Sequence, residues 1–197
     1  MLRKIVVGMA FLALAIGSAF SGDSHIVADP SAPGNQRPTV IGTAGGLPQV
    51  NITTPNNNGL SYNRYQQFDV GGRGAILNNA TQHTQTQLGA WVDANPNLVG
   101  GAARLIVNEV NSPNPSHIGG FVEIAGHRAD VVIANPSGIN VAGGGFINAN
   151  RATLTTGRPV IENGALTGYN VRGGQINVLG AGLDFKDASY ADIIAKS

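Results

Sequence analysis

Glu123 and Asp130 are the only acids between Glu109 and Glu162, and they are where polysaccharide chemistry would have to start. Cleaving a glycosidic bond takes two carboxyl groups, or acids around a metal, on one face. Glu123 stands between Val122 and Ile124, and Asp130 between Ala129 and Val131. Each is the polar member of its own alternating run, which reads as solvated surface and not as an acid–base pair. His25, His83, His117 and His127 are scattered without metal-ligand spacing, and His117 and His127 read as polar turn residues. The chain has no cysteine, so it has no disulfide, thiolate metal site or Cys nucleophile. Gly71, Gly72 and Gly74, and Gly143 to Gly145, are followed by neither Lys-Ser nor Lys-Thr and open no helical pattern, so neither is a phosphate loop. The Arg128–Ala129–Asp130 tripeptide reads as ordinary surface at a strand start. No catalytic, cofactor-binding or metal-binding set emerges, and the chain is not expected to be an enzyme.

The elements that would carry these residues are short strands. Residues 121–156 hold four or five apolar runs, each closed by Gly, Asn or Pro, and inside them the alternation has period two. Val131 and Ile133 alternate with Val132, and Ala152 and Leu154 with Thr153. Such runs are strands with one buried face. None has the length or spacing of a three-turn helix. Charged residues make up 12% of the chain, about half the usual share, so Asn, Thr, Gln and Ser must supply much of the surface polarity. The 20 Asn and 28 Gly tolerate left-handed backbone, which lets the chain turn often. The formal net charge is +1, and no Lys/Arg cluster offers a footprint for nucleic acid or an anionic membrane.

Residues 1–21 have the three parts of a secretory signal peptide. These are a basic start at Arg3 and Lys4, an apolar stretch over 5–16, and small residues at Ala19 and Ser21. As a helix the apolar stretch would reach roughly 18 Å, too short for a hydrocarbon core of about 30 Å. Export is therefore expected. Residues 22–38, with Pro30, Pro33 and Pro38, read as a polar linker or lead-in, and residues 39–197 as the folded domain. Short strands are expected at 39–41, 50–52, 62–70, 75–77, 104–110 and 175–179. Residues 80–100 are the least strand-like, a short helix or an excursion within which Trp91 packs. Asn163–Gly164 is the preferred pair for a two-residue type I′ hairpin. The tail from Leu183 reads as a strand with a short helical or irregular end.

The spacing suggests a coil. Val131 and Ile133 recur 21 residues later as Ala152 and Leu154, and Leu154 recurs about as far on as Ile176. A right-handed parallel β-helix has rungs of roughly this length, with the hairpin as a small extension. An antiparallel sandwich or jelly roll is the alternative. Two Asn-Pro segments mark corners: Asn95, Pro96, Asn97 and Leu98, and then Asn135, Pro136, Ser137, Gly138 and Ile139. Asn caps its own turn through its side chain and Pro fixes the next φ.

Taken in order, NPNL, RLIVNEV, FVEIAGHRADVVIANPSGI and the L-T-T-G tract resemble the N-terminal two-partner secretion domain of filamentous haemagglutinin-like exoproteins. That family, also called the haemagglutination activity domain, includes the contact-dependent growth-inhibition exoproteins. The resemblance covers roughly residues 34–197. The second signature is usually NPNGI, and Ser137 replaces its third residue with another small polar side chain. The resemblance implies an all-β, right-handed parallel β-helix of the pectin lyase-like kind. It also implies recognition in the periplasm by the POTRA domains of an outer-membrane β-barrel transporter, then passage to the cell surface or medium. By position, Asn95 to Leu98 and Asn135 to Ile139 are then the signature turns. The domain heads a long exoprotein in this family, so the chain is expected to be incomplete at its C-terminus. Contact with host or neighbouring cells would fall to regions downstream, and a monomer is expected. The alternatives are a free-standing exported module that adheres to carbohydrate or cell surfaces, and a carbohydrate-active enzyme.

Overall fold

The computed structural model describes residues 23–185 and 187–196; the expected signal peptide lies outside the described residues. In chain order the first strands are β1 (His25–Ala28), β2 (Thr39–Gly42), β3 (Pro48–Asn51), β4 (Leu60–Asp69), β5 (Ala75–Asn79), β6 (Thr84–Gln85) and β7 (Trp91–Val92). Then come β8 (Leu105–Val110), β9 (Ser116–Ile118), β10 (Phe121–Gly126), β11 (Ala129–Ala134), β12 (Ile139–Val141), β13 (Gly145–Ile147) and β14 (Ala149–Thr155). The last are β15 (Gly157–Glu162), β16 (Ala165–Val171), β17 (Ile176–Val178) and β18 (Tyr190–Ile194). Among the described residues there is no α-helix.

From β8 onward the chain visits three sheets in rotation: the six-stranded sheet at β8, the three-stranded at β9, the five-stranded at β10, then β11, β12 and β13 in the same order. Strands that meet in one sheet are a circuit apart, so they pair in parallel. Three faces wound around one core make a parallel β-helix, the architecture expected. Val131 lies beside Ala152 and Ile133 beside Leu154, as the 21-residue recurrence requires. The next step differs. Leu154 stacks beside Ile193, while Ile176 lies beside Ile139 in another sheet. The antiparallel hairpin β15–β16 is inserted between the six- and three-stranded faces, so the recurrence of Leu154 at Ile176 was a coincidence of spacing.

The interior is filled by aliphatic columns such as Ile106–Val131–Ala152, with Tyr65 and Phe68 at the N-terminal end packed edge to face at 5.0 Å. The Tyr65 hydroxyl donates to Asn108 Oδ1 (2.9 Å), whose Nδ2 in turn donates to the Val132 carbonyl (3.1 Å). Residues 22–38 are more than a lead-in. They contain β1, which pairs antiparallel with β4, and a short 3-10 turn over Gly34–Gln36. β2 likewise pairs antiparallel with β3. Two antiparallel strands thus cover the open edges of the first circuit, which would otherwise be templates for pairing with other chains.

Two excursions cover outer faces. β6–β7 lies over β5 and β10, with Leu88, Ala90 and Val92 packed on Leu47, Ile76, Ala80 and Ala125. Residues 80–100 are therefore the excursion and not a helix. This corrects the reading of Glu123. Its side chain does point outward, but outward is under the excursion: Glu123 is buried, and its carboxylate accepts from the backbone N–H groups of Gln87 (2.7 Å) and Leu88 (2.8 Å). The second excursion, β15–β16, lays Ile161, Leu166 and Tyr169 over Leu60, Val107 and Val132 of the six-stranded sheet. Its turn has φ of 51° at Asn163 and 76° at Gly164, the left-handed pair that a type I′ turn needs. The tip is held by Asn56 Nδ2 on the Gly164 carbonyl (2.7 Å) and Asn58 Nδ2 on the Asn163 carbonyl (3.0 Å). The base is held by Glu109, which accepts from Arg158 (3.0 Å) and from the Tyr62 hydroxyl. β15–β16 follows the β14 circuit and reaches back to the loop before β4, so it straps several circuits together.

Candidate functional site: two asparagine–proline corners

Both Asn-Pro segments are turns, and both are built the same way. In the first, the Leu98 N–H donates to the Asn95 carbonyl (3.0 Å) and the Asn97 N–H to Asn95 Oδ1 (3.0 Å). In the second, the Gly138 N–H donates to the Asn135 carbonyl (3.0 Å) and the Ser137 N–H to Asn135 Oδ1 (2.9 Å). Pro supplies a fixed φ at the second position of each, and Gly138, at φ 115°, supplies the backbone that a side chain would strain.

The asparagine amides point inward. Asn95 Nδ2 donates to the Ile52 carbonyl (3.0 Å) and the Asn78 carbonyl (2.9 Å). Asn135 Nδ2 donates to the Asn114 carbonyl (3.0 Å) and to Ser116 Oγ (3.0 Å). Both side chains are buried, so each amide ties its own corner to a neighbouring segment of the coil and satisfies groups that water cannot reach. Leu98 and Ile139 drop into the core beside their turns. Pro96 is exposed, Pro136 and Ser137 half-buried. Asn97 Nδ2 adds a second bond to the Ile52 carbonyl (3.0 Å), and Ser137 Oγ donates to the Ser112 carbonyl (3.0 Å).

The turns occupy different corners. Asn95 to Leu98 precedes β8 and leads into the six-stranded face; Asn135 to Ile139 joins β11 to β12 and leaves it. Two further asparagines do the same work and were not singled out in the sequence. Asn79 Nδ2 bridges the Ala103 (2.9 Å) and His127 (2.8 Å) carbonyls, and Asn148, at φ 59°, bridges those of Ile124 (2.8 Å) and Gly126 (3.0 Å). The signal was present: each Asn closes an apolar run. At another corner glycines stack, because a Cβ on Gly120 would overlap Gly71 backbone and one on Gly144 would overlap Gly120.

The groups weighed for catalysis are not brought together. Glu123 belongs to β10 in the five-stranded sheet. Asp130, on β11, accepts from Asn150 Nδ2 (2.8 Å) on the six-stranded face. Burial raises the pKa of Glu123, and the two backbone N–H bonds only partly offset that. His117 lies within β9, His127 Nε2 meets Thr81 Oγ1 (3.0 Å), and His83 stacks on Trp91. Among the described residues no group of three or more His, Asp or Glu could hold a metal ion. Trp91 does not pack into the body; it is 58% exposed. The bonds at both corners are amide and hydroxyl bonds that fix a bend in the coil.

Comparison with known proteins settles what kind of coil this is. The family model described as the TPS secretion domain matches residues 24–197. The chain belongs to the TPS secretion domain family. The matched span begins within residues 22–38, in agreement with the ordered β1. The chain is 54% identical over 187 residues to "Toxin CdiA" of Yersinia pestis, covering 94% of this chain and 6% of that protein. It is 54% identical over 168 residues to "tRNA nuclease CdiA-2" of Burkholderia pseudomallei, covering 84% and 5%. It is 50% identical over 137 residues to "Hemolysin" of Proteus mirabilis, covering 70% and 9%. The TPS domain thus spans less than a tenth of each of these relatives, and their names describe proteins far longer than it. Among solved structures, the filamentous hemagglutinin secretion domain superposes with a TM-score of 0.78 at 35% identity, over 86% of this chain and 55% of that one. The family is one of secretion domains, so this chain is a secretion-targeting domain of the CdiA- and haemagglutinin-like kind.

Proposed function

We propose that this TPS domain heads a long exported adhesin or growth-inhibition exoprotein and acts in two ways. It is recognised in the periplasm by the POTRA domains of its partner β-barrel transporter, after export directed by residues 1–21. Outside the cell it then serves as the first folded segment, on which later circuits of the β-helix are laid down. The family match over residues 24–197 carries the first part. The covered start and the regular register of the coil support the second. Antiparallel β1 and β2 cover the edges of its first circuit. Ile193 on β18 continues the Ile133–Leu154 column in parallel register, the repeat by which circuits of a β-helix stack. Adhesion or toxicity would belong to regions of the parent beyond this domain.

The test is co-production with and without the partner transporter, measuring the chain in the medium and in the periplasm. Transporter-dependent release is expected. Equal release without the transporter would sink the secretion reading.

A further inference from the structure

Two buried side-chain atoms have no hydrogen-bond partner among the described residues, Arg64 Nε and Thr156 Oγ1. Both stand at the base of the β15–β16 hairpin. Thr156 is the last residue before β15. Gly174, just past the other end of the hairpin, lies so close to it that a Cβ there would stand 3.0 Å from the Thr156 Cβ. Arg64 Nε is 3.9 Å from Glu109 Oε2, while Glu109 is taken up by Arg158 Nη1 (3.0 Å) and the Tyr62 hydroxyl. Buried polar groups in folded proteins are nearly always paired. Two exceptions at one spot mark a place where the observed arrangement is locally unfavourable and is held by contacts elsewhere.

The hairpin is built to move as a unit. β15 and β16 form a two-stranded sheet of their own and share no ladder with the coil. Side chains hold them down: Ile161, Leu166 and Tyr169 on Leu60, Val107 and Val132, with Asn56 and Asn58 at the tip and Arg158 at the base. The three apolar hairpin residues stay only half-buried. A cleft of about 260 Å³, lined by Val132, Arg151, Thr153, Leu166 and Tyr169 among others, runs between β16 and the six-stranded sheet, so the hairpin does not lie flush on it. Glycines stand at both ends: Gly157 on one side, and on the other Gly173, with open space around it, and Gly174, at φ 74°. They give the backbone the freedom to rotate there.

We infer that β15–β16 is a strap that opens and closes as a unit over an intact coil, with Glu109 exchanging partners at its base. Closed, Glu109 holds Arg158 and leaves Arg64 Nε unpaired. On opening, a move of roughly 1 Å brings the Arg64 guanidinium to hydrogen-bond distance of the carboxylate that Arg158 has left. The Tyr62 hydroxyl stays with Glu109, and Thr156 Oγ1 reaches water. The seats of the strap are Leu60 on β4, Val107 on β8 and Val132 on β11, three strands that follow one another in the six-stranded sheet. Its tip also needs Asn56 and Asn58 before β4. A strap with such seats closes only on circuits already stacked in register, so it is a lock on the assembled coil. The device belongs to the folded coil and is independent of how the chain is exported.

The chain has no cysteine, so one introduced thiol reports opening. Val132→Cys places it under the strap, and Ile133→Cys, one residue on, places it in the core of the coil; both positions are buried. Each full-length variant is labelled with dithionitrobenzoate under native conditions and in low urea. The Val132→Cys thiol should react at least about tenfold faster and with little dependence on urea, because strap opening exposes little surface. The Ile133→Cys thiol should react only through unfolding, with a steep dependence. On the Val132→Cys background, Arg158→Gln should speed labelling about tenfold, since it removes a charge-assisted bond made only in the closed state. Arg64→Met should slow it several-fold, since the open state loses the partner that replaces Arg158. Equal rates with the same urea dependence for the two thiols overturn the strap, because the hairpin then opens only when the coil does. Unchanged or faster labelling with Arg64→Met overturns the exchange at Glu109. The comparison of the two thiols needs no change at the base, so it decides the strap even where a base variant folds poorly.

Discussion

Replacing Asn135 with alanine separates a corner that shapes the coil from one that is read by a partner. The change removes three bonds, from Asn135 Nδ2 to the Asn114 carbonyl and Ser116 Oγ and from the Ser137 N–H to Oδ1. Ser116 is buried, so its hydroxyl loses a partner that water cannot replace; the Asn114 carbonyl and the Ser137 N–H lie nearer the surface and recover part of theirs from solvent. An unsatisfied buried group costs about 1–3 kcal/mol and each solvent-compensated bond nearer 1 kcal/mol, so one of the first and two of the second sum to about 3–5 kcal/mol. For a domain of this size each kcal/mol lowers the melting temperature by roughly 2–4 °C, which places the expected fall at about 6–20 °C by circular dichroism. Pro136→Ala, which changes mainly the entropy of the unfolded chain, should cost about 1 kcal/mol or less. Transporter-dependent release of Asn135→Ala should fall at temperatures where the variant is partly unfolded and recover on cooling. A variant that melts within a degree of wild type refutes the structural argument. If that same variant is nonetheless no longer released, the corner is read directly by the transporter.

Gly120→Ala should destabilise the domain by about 3 kcal/mol or more, because the new Cβ would overlap Gly71 backbone at a corner where two circuits touch; Gly89→Ala, with open space around it and only its φ of 88° against it, should cost about 1 kcal/mol, and urea melts of the two report the difference. The Asp29 and Asp192 carboxyls are held below the usual carboxylate range, Asp29 by the Ser31 hydroxyl and Asp192 by Arg151, so their contribution is present above 3.8 and lost as pH falls through their folded pKa values. Glu123 runs the other way: burial lifts its folded pKa above 4.5, the folded state holds the extra proton, and stability falls as pH rises from 4.5 through the folded value. Melting temperature should therefore climb from pH 2 to about 4 and then decline, with Glu123→Gln flattening the decline; an unchanged slope above pH 4.5 would show that another group sets it. Gly164→Ala should loosen the hairpin strap by about 1–2 kcal/mol, since its φ is 76° and the added Cβ would crowd Asn56 Nδ2, read out as faster amide exchange in β15 and β16 before any change in β8.

Where a face is buried, the sequence was a good guide to this fold, because period-two alternation has one physical cause. Val131/Ile133 and Ala152/Leu154 recur because they stack on adjacent circuits, and the recurrence alone reads as a rung length. It failed at Ile176 for a reason that periodicity cannot carry. An excursion inserted between two faces changes the residue count of a circuit without changing its geometry. Glu123 and Trp91 failed together and for the same reason. Alternation tells inward from outward, but not what lies over the outer face. The excursion near residues 84–92 has two sides, and it turned an expected surface acid into a buried one while setting an expected packed tryptophan in water.

The corners show the converse. Asn95 and Asn135 were legible as turns from local chemistry alone, since an Asn caps its own turn wherever it stands. That their amides also bridge distant segments needed the coil, because Ile52 and Asn78 reach Asn95 only once the circuits are stacked. The same burial that makes these asparagines good fasteners removes them from view. A partner that distinguishes this corner from any other Asn-rich turn must therefore read what the turn displays. At the first corner that is Pro96, the Val99 that follows and the stacked indole that precedes it. At the second it is half-buried Pro136 and Ser137 beside the outward row of His117, Asn140 and Asn177. The first display is apolar and the second is polar, so the two corners are suited to different contacts although the turns beneath them are built alike.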